Sequence, residues 1–559
     1  MATSNGRIQP NSWVFLRLAS DLLRAVEIKP NTIIEIGKYG SVPSNLLLGR
    51  PLYYTYEVLE KQEGELYSRL RAVPPSELNA DVIAEEATPD ESRAEPGTPS
   101  GSGGEGIDIV ADDGTVIIKN NRLTIDDASR QALSHTEIEE LKKSSGGKEI
   151  IEQILANHAG LDEKTAFSKA KYTLRKSKKY LKRFTVLPME LGFLIDYIML
   201  KEPARTMEIR EETLGLAMAW SNVHFSKSID GDDNLGVTAP GGRWLVLDDT
   251  GGLVTAAVAE RMNLLRKDNT TAQTQANNGA PEPSEVSMEN GDSDAKPHTP
   301  VVHHDFPIPA SSNTITVLHA AVQANISLLK YFDYDGNNPD PDHPLHNHLK
   351  TLSWLQLLHP EEDPTYREPE TATPEVMQTW KSGKRGTYFK KRRRWERCKA
   401  IVDETRAGGF DGLIVASHID PSTIFPHVIP LIRGGGHVVV YSPTVESLVN
   451  LSDLYSKDRR TAYLSALAQG NEPDKEDFPV DPRLLLAPTL QTSRIREYQV
   501  LPGRTHPLMT SKGGSEGFVF TARRVIPLEG GVEARGNFGK KRKVDQANGS
   551  DVAAAAPST

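Results

Sequence analysis

The sequence predicts a multidomain chain of mixed class: a small N-terminal β-barrel-like domain, a C-terminal Rossmann-like α/β domain, and disordered insertions. Three observations carry that reading. Short β-branched and aromatic runs broken by glycine and proline occupy the N-terminal part. Nearly all-apolar runs alternating with helix-like segments occupy the rest, the pattern of a parallel sheet covered on both faces. Two stretches, 75–107 and 268–305, are rich in Gly, Pro, Ser, Thr, Asn and acidic residues without an apolar period, and cannot bury enough surface to offset chain entropy. The expected boundaries are 1–74 with 108–186 for the β-domain and its basic helical extension, 187–267 with 306–530 for the α/β domain, and 531–559 for a disordered tail.

The 559 residues carry a formal net charge of −10. The two acidic stretches account for −13 between them, which leaves +3 on the remainder, so the acidic balance describes the insertions more than the folded parts. The single cysteine, Cys398, excludes an internal disulfide and any cysteine-based zinc site, and points to a reducing compartment. The start, MATSNGRIQPNSWVFLRLASD, lacks a basic region followed by an apolar core. No apolar run reaches the about 20 residues that span a bilayer, so an intracellular, soluble chain with no membrane partner is expected.

In chain order, WVFLRLA, NTIIEIGKYGSV and PLYYTYEVLE read as strands, with Gly37, Gly40 and Pro43 as turn residues. Strands resume after the first insertion in GIDIVADDGTVIIKNNRLTIDD, which makes that insertion a long loop of the β-domain. Ser134 three residues before Glu137 has capping-box spacing, and Gly146 and Gly147 would end the helix it opens. A second helix, KEIIEQILANHAG, follows. From Pro188 the grammar changes: helical ELGFLIDYIMLK and REETLGLAMAWSNV, strand RWLVLDD, helix LVTAAVAERM, then TITVLHA, helical HNHLKTLSWLQLLH, and a basic helix feeding strand FDGLIVAS. Helical TIFPHVIPLIRGGG, strand HVVVYSP and helical TVESLVNLSDLYSK come next. REYQVLPGRTHP and GFVFTARRVIP read as a final antiparallel pair.

The stretch RWLVLDDTGGLVTAAVAERM places a strand, a tight turn and a helix where a doubly wound sheet holds a nucleotide-containing cofactor. Methyltransferases of this fold use an acidic residue, a spacer, then G-x-G-x-G. With Asp248 at the acidic position and Asp249 as spacer, Thr250 takes the first glycine, Gly251 the next spacer, Gly252 the second glycine and Val254 the third, so two glycines are gone. A β-branched residue there obstructs both left-handed backbone angles and ligand approach. Asp342, His343, His346 and His348 match no established metal-ligand spacing, and no metal is expected.

Five ordered motifs, NNRLTIDDASRQALSHTEIEELK, EKTAFSKAKYTLRKSKKY, WLVLDDTGGLVTAAVAERM, FDGLIVAS and REYQVLPGRTHP, resemble the non-catalytic subunit of the eukaryotic tRNA (adenine 58, N1) methyltransferase, from about Asn11 to Pro527 outside the insertions. The resemblance implies a degenerate Rossmann-like methyltransferase domain. It also implies tRNA as ligand, a catalytic partner that binds S-adenosylmethionine in a heterotetramer of two copies each, no cofactor in this chain, and residence in the nucleus. Catalytic relatives carry an Asp at the end of a later strand, in a segment like L-D-x-P-x-P-W. Here Ala416 takes that place, and Asp420-Pro421 follows four residues on without Pro-Trp.

Two basic segments are candidates for tRNA contact. The first contains Lys164, Lys169, Lys171, Arg175, Lys176, Lys178, Lys179, Lys182 and Arg183, with Phe167, Leu174 and Leu181 as an inward stripe; a solvated basic helix is the alternative. The second includes Lys390, Lys391, Arg392, Arg393 and Arg394, where a solvated helix start or a localisation signal competes. Lys540, Lys541, Arg542 and Lys543 in the tail read as a nuclear import signal, or as an RNA-attracting tail. The expected function is a non-catalytic, tRNA-binding subunit. The rival is an active RNA methyltransferase in which Asp248 or Asp249 holds ribose, Gly251 and Gly252 cradle the methionine end, and Asp420 works on the base.

Overall fold

The computed structural model describes residues 6–59, 66–78, 109–110, 116–118, 132–144, 147–158, 166–226, 242–267, 312–495, 498–501, 504–507 and 517–527. Its N-terminal strands are β1 (Ser12–Leu18), β2 (Leu23–Ile28), β3 (Ile33–Glu35), β4 (Ser41–Pro43), β5 (Thr55–Val58), β6 (Leu70–Ala72), β7 (Ile109–Val110), β8 (Val116–Ile118) and β9 (Arg183–Pro188). Five of them form one antiparallel sheet in the order β2-β1-β9-β5-β6. This corrects the barrel expectation. A barrel requires the edge strands to pair, and among the described residues β2 and β6 stay edges while β3–β4 and β7–β8 pair only with each other.

The period of two along these strands separates two environments. Val14, Leu16, Tyr56, Phe184 and Val186 turn to one face and pack with Ile8, Ile28, Val42 and Leu47. Phe15 and Leu187 turn to the other, against Leu194, Ile195 and Ile198 of the helix Leu191–Lys201, within the core of the α/β domain. Trp13 meets Tyr331 edge-on at 5.0 Å between ring centroids. The two expected domains therefore share a core, and residues up to Val525 form one compact unit. Of the separate unit that starts at Ile526, only Ile526 and Pro527 are described.

The larger sheet is built from β10 (Arg243–Asp248), β11 (Thr314–His319), β12 (Leu349–Ser353), β13 (Phe410–Ala416), β14 (Ile432–Ser442) and β15 (Leu485–Gln491). A hairpin of β16 (Tyr498–Leu501) with β17 (Arg504–Pro507) precedes the last strand, β18 (Phe518–Arg524). The order is β12-β11-β10-β13-β14-β18-β15, parallel from β12 to β14, with β18 antiparallel to both neighbours. Trp244, Leu245, Val246 and Leu247 are all buried, as a strand covered on both faces requires. Two expectations change here. GFVFTARRVIP pairs with β14 and β15, because REYQVLP is taken by its own hairpin. HNHLKTLSWLQLLH is not one helix; its centre is β12, the edge of the parallel sheet.

The capping box at Ser134 is present: its N–H donates to Glu137 Oε2 at 2.7 Å, and the Glu137 N–H donates to Ser134 Oγ at 3.3 Å. Of the first expected insertion, residues 75–78 form a helical turn and 79–107 lie outside the described residues. Glu77 sits in a cationic cage there: Arg71 Nη1 at 2.7 Å, Lys148 Nζ at 2.8 Å and Arg183 Nη2 at 2.6 Å. The second insertion, 268–305, and the tail, 531–559, lie outside the described residues. Among the described residues no helix is long and apolar enough to cross a membrane.

Candidate functional site

Strand order reverses between β10 and β13, and the carboxyl ends of those strands are where this fold admits a ligand. The register sets Asp248 beside Ala416, so the two degenerate positions expected from the sequence meet at one place. Asp248 is 6% exposed and its carboxylate is fully engaged inside the chain. Oδ1 accepts the Thr250 N–H at 2.9 Å and its hydroxyl at 2.5 Å; Oδ2 accepts the Thr255 N–H at 2.8 Å and its hydroxyl at 2.6 Å. Thr250 Oγ1 in turn accepts the Val254 N–H at 3.2 Å, at the start of the helix Leu253–Arg261. Two of the first N–H groups of that helix, Val254 and Thr255, are thus taken inside the turn, where a helix N-terminus otherwise offers such donors to an anion.

Asp249 is also committed. Its N–H donates to the Ala416 carbonyl at 2.8 Å, and its Oδ2 accepts the Ser417 hydroxyl at 2.6 Å and the His418 N–H at 2.9 Å. These bonds stitch the loop after β10 to the loop after β13. Gly251 and Gly252 are left-handed, with φ of 72° and 94°. A Cβ on Gly252 would lie 2.9 Å from Ile326 Cα, and the Leu328 N–H donates to the Gly251 carbonyl at 3.0 Å. The close approach that the glycines permit is therefore made by the chain's own segment at Ile326, a partner that no local pattern of residues announces.

A further loss was missed by sequence reasoning. In this fold the second strand of the parallel order ends on the carboxylate that holds ribose hydroxyls. Here β11 ends on His319, followed by Ala320 and Ala321, and the His319 ring bonds the Ala321 carbonyl at 2.7 Å. Burial pushes the pKa of that imidazole below its ordinary value. The segment TITVLHA already carried the signal, since no acid ends it. Asp420 of the rival reading is the N-cap of the helix Pro421–Val428, accepting the Ser422 N–H at 2.8 Å and hydroxyl at 2.6 Å. The residues present do not fit S-adenosylmethionine: both oxygens of Asp248 are spent, Asp249 is bonded to the loop after β13, one wanted carboxylate is missing, and the glycine turn faces Ile326. The histidine cluster does not converge either. His343 bonds the Phe332 carbonyl and the Leu345 N–H, His348 bonds the Asn313 carbonyl, and among the described residues no group of three ligands could hold a metal.

The first basic segment forms the helix Ala166–Tyr180. Arg175 and Lys179 are exposed, and Lys169, Lys176 and Lys182 are partly exposed. Tyr180 and Leu181 turn inward to pack with Ile150, Ile151 and Ile154, and Tyr172 packs against the same cluster. Lys164 and the side chains of Lys171, Lys178, Phe167 and Leu174 lie outside the described residues. Arg183 is a correction: it belongs to β9, its side chain is 7% exposed, and it is held by Glu77 and by Glu57 at 3.8 Å. A buried guanidinium between two carboxylates is a strut for the sheet and cannot reach a phosphate.

The second segment forms the 25-residue helix Ser382–Arg406, about 37 Å long at 1.5 Å per residue. One stripe faces the body. Tyr388 accepts the Ala372 N–H at 3.2 Å, Arg392 pairs with Glu368 at 3.5 Å and Glu396 at 3.4 Å, and Trp395 Nε1 donates to the Tyr366 carbonyl at 2.9 Å. Lys390, Lys391, Arg393 and Arg394 are exposed around the rest, so Arg392 is the member of the run that is tied down. Lys540, Lys541, Arg542 and Lys543 lie outside the described residues.

Comparison with known proteins identifies the family. Residues 7–381 match the Gcd10p family. The chain is 45% identical to a protein of Aspergillus fumigatus named tRNA (adenine(58)-N(1))-methyltransferase non-catalytic subunit, with 96% of each chain covered. A protein of the same description from Debaryomyces hansenii is 29% identical over 96% of this chain and 91% of the relative. Its counterpart in Mus musculus is 24% identical over 73% and 74%. Family match and identity both run along most of the chain, which therefore belongs to the Gcd10p family.

Proposed function

We propose that this chain is the non-catalytic subunit of a tRNA (adenine 58, N1) methyltransferase, holding tRNA while a catalytic partner carrying S-adenosylmethionine transfers the methyl group. The observation that carries the reading is the self-satisfied turn at Asp248, backed by Ile326 and flanked by Ala416. Methylation of a ring nitrogen needs a donor held within reach and a group to manage the proton. This chain brings neither to the place where the fold would hold them.

What it brings is positive charge on two exposed helices. Lysines and arginines there neutralise phosphates and release counterions, a contribution that is neutral to sequence and falls steeply with salt. The assembly is a heterotetramer of two copies of each subunit. Its home is the nucleus, reached through the basic cluster Lys540 to Lys543.

The test is calorimetric titration of S-adenosylmethionine into the purified chain, alone and with the catalytic subunit. Heat only in the mixture, with tRNA methylation only there, supports the reading. Saturable binding by the isolated chain would overturn it in favour of an enzyme with a divergent loop.

A further inference from the structure

Charge alone does not account for the long helix Ser382–Arg406. Phe389 is 44% exposed in the middle of its cationic stretch. Its neighbours at i−4 and i+4 are Arg385, whose guanidinium donates to the Trp380 carbonyl at 3.2 Å, and Arg393, so the uncovered ring shares one helix face with two arginines. The ring is braced by its neighbour Tyr388. Tyr388 meets Phe389 edge-on at 5.5 Å between centroids, Trp380 meets Tyr388 at 5.4 Å, and the Lys384 ammonium lies 4.5 Å from the centre of the Trp380 ring.

Two glycines supply a separate observation. Gly383 and Gly386 weaken a helix that alanine would strengthen. Yet a Cβ at either would meet no atom of the described residues within 4 Å beyond its own stretch of helix, so no packing contact there requires them. Gly386 is three residues from Phe389, one turn away on the same side. Bare backbone beside a held, uncovered ring suits the close approach of a flat ligand, and the surrounding arginines make that ligand anionic.

We infer that Phe389 is a stacking platform for one unpaired RNA base, with Arg385 and Arg393 taking the phosphates on either side and Gly386 leaving room for the strand. An aromatic face accepts any base, so the site selects unstacked nucleotides over duplex and reads no sequence. The inference rests on the tRNA-holding reading and deepens it, because it says which kind of RNA region this helix grips.

The experiment measures affinity of the full-length chain in complex with its catalytic subunit for two probes at fixed salt: a single-stranded oligoribonucleotide and a duplex of equal length. Phe389→Ala should weaken the single strand roughly 5- to 100-fold and leave the duplex unchanged. Phe389→Trp should restore single-strand binding, and Arg393→Glu should weaken both probes. If Arg393→Glu weakens binding while Phe389→Ala does not, the platform is refuted and the RNA reading stands. Failure of both variants to change either probe removes this helix from RNA binding altogether. Loss of complex assembly on Phe389→Ala, with RNA affinity intact in the remaining complex, would make the ring a protein contact and also overturn the inference.

Discussion

Replacing Asp248 by alanine tests whether the carboxylate at the end of β10 is structural. It is 6% exposed and accepts four hydrogen bonds, two from backbone N–H groups and two from threonine hydroxyls. After truncation the hydroxyls can rotate to other acceptors, but the Thr250 and Thr255 N–H groups are left buried without partners. Each such orphan costs about 1–3 kcal/mol, and the small cavity adds to it, so the loss should be about 3–5 kcal/mol. Asp248→Asn keeps an acceptor toward one threonine and turns a donor on the other, and should cost about half as much. Urea unfolding followed by circular dichroism reads both values. A cost below about 1 kcal/mol for Asp248→Ala would mean that the carboxylate is not needed by its own turn, and the argument against a cofactor pocket would fail. The affinity of the assembled complex for S-adenosylmethionine should be unchanged in any variant that still assembles.

Three further outcomes follow from the same geometry. Hydrogen bonds from Arg71 and then Lys148 hold the Glu77 carboxyl at about 2, below the ordinary 4.5. A carboxylate lowered in this way stabilises the fold fully above about 4.5 and loses that contribution as pH falls toward about 2, so acid unfolding should show a component in that window. Glu77→Gln should remove it, by on the order of 1–2 kcal/mol after solvent screening is allowed for. Gly252→Ala should destabilise by about 2–4 kcal/mol, because a left-handed alanine is strained and its Cβ meets Ile326; Gly435→Ala, also left-handed but in open space, should cost only about 1 kcal/mol in the same melt. Changing Arg175, Lys176, Lys178 and Lys179 to Glu should weaken tRNA binding across a salt titration and flatten its slope by about one for each phosphate no longer neutralised. Unaltered affinity would remove the first basic helix from the interface.

Much of the site is legible in the sequence because it is local. The strand, turn and helix at 243–262 follow from an apolar run, two glycines and a run of small residues, and the Ser134 cap from two side chains three apart. What depends on distant partners is not. Arg183 reads as continuous with the basic helix, since a charge pattern cannot reveal that Glu57 and Glu77 enclose it. Glu77 itself is averaged into an acidic stretch whose composition is that of a linker. β12 hides inside HNHLKTLSWLQLLH because Leu345, Leu349 and Leu352 repeat at helical spacing, whereas pairing with β11 fixes the middle of the segment as a strand. The open sheet cannot be told from a barrel, as strand propensity says nothing about whether two edges meet. Ile326 carries no signal at all, being an ordinary apolar residue whose role comes from where the chain after β11 returns.

That return has a thermodynamic consequence. A ligand shifts a conformational equilibrium only as far as it binds the alternatives differently. If the Gly251–Gly252 turn, backed by its own polypeptide, takes no methyl donor, the donor has no conformational equilibrium of this chain to bias. Its share of the grip on RNA should then be blind to the cell's supply of donor and to the build-up of spent donor. Any coupling between RNA release and methylation would have to originate wholly in the partner, with this chain as the constant against which that change is felt.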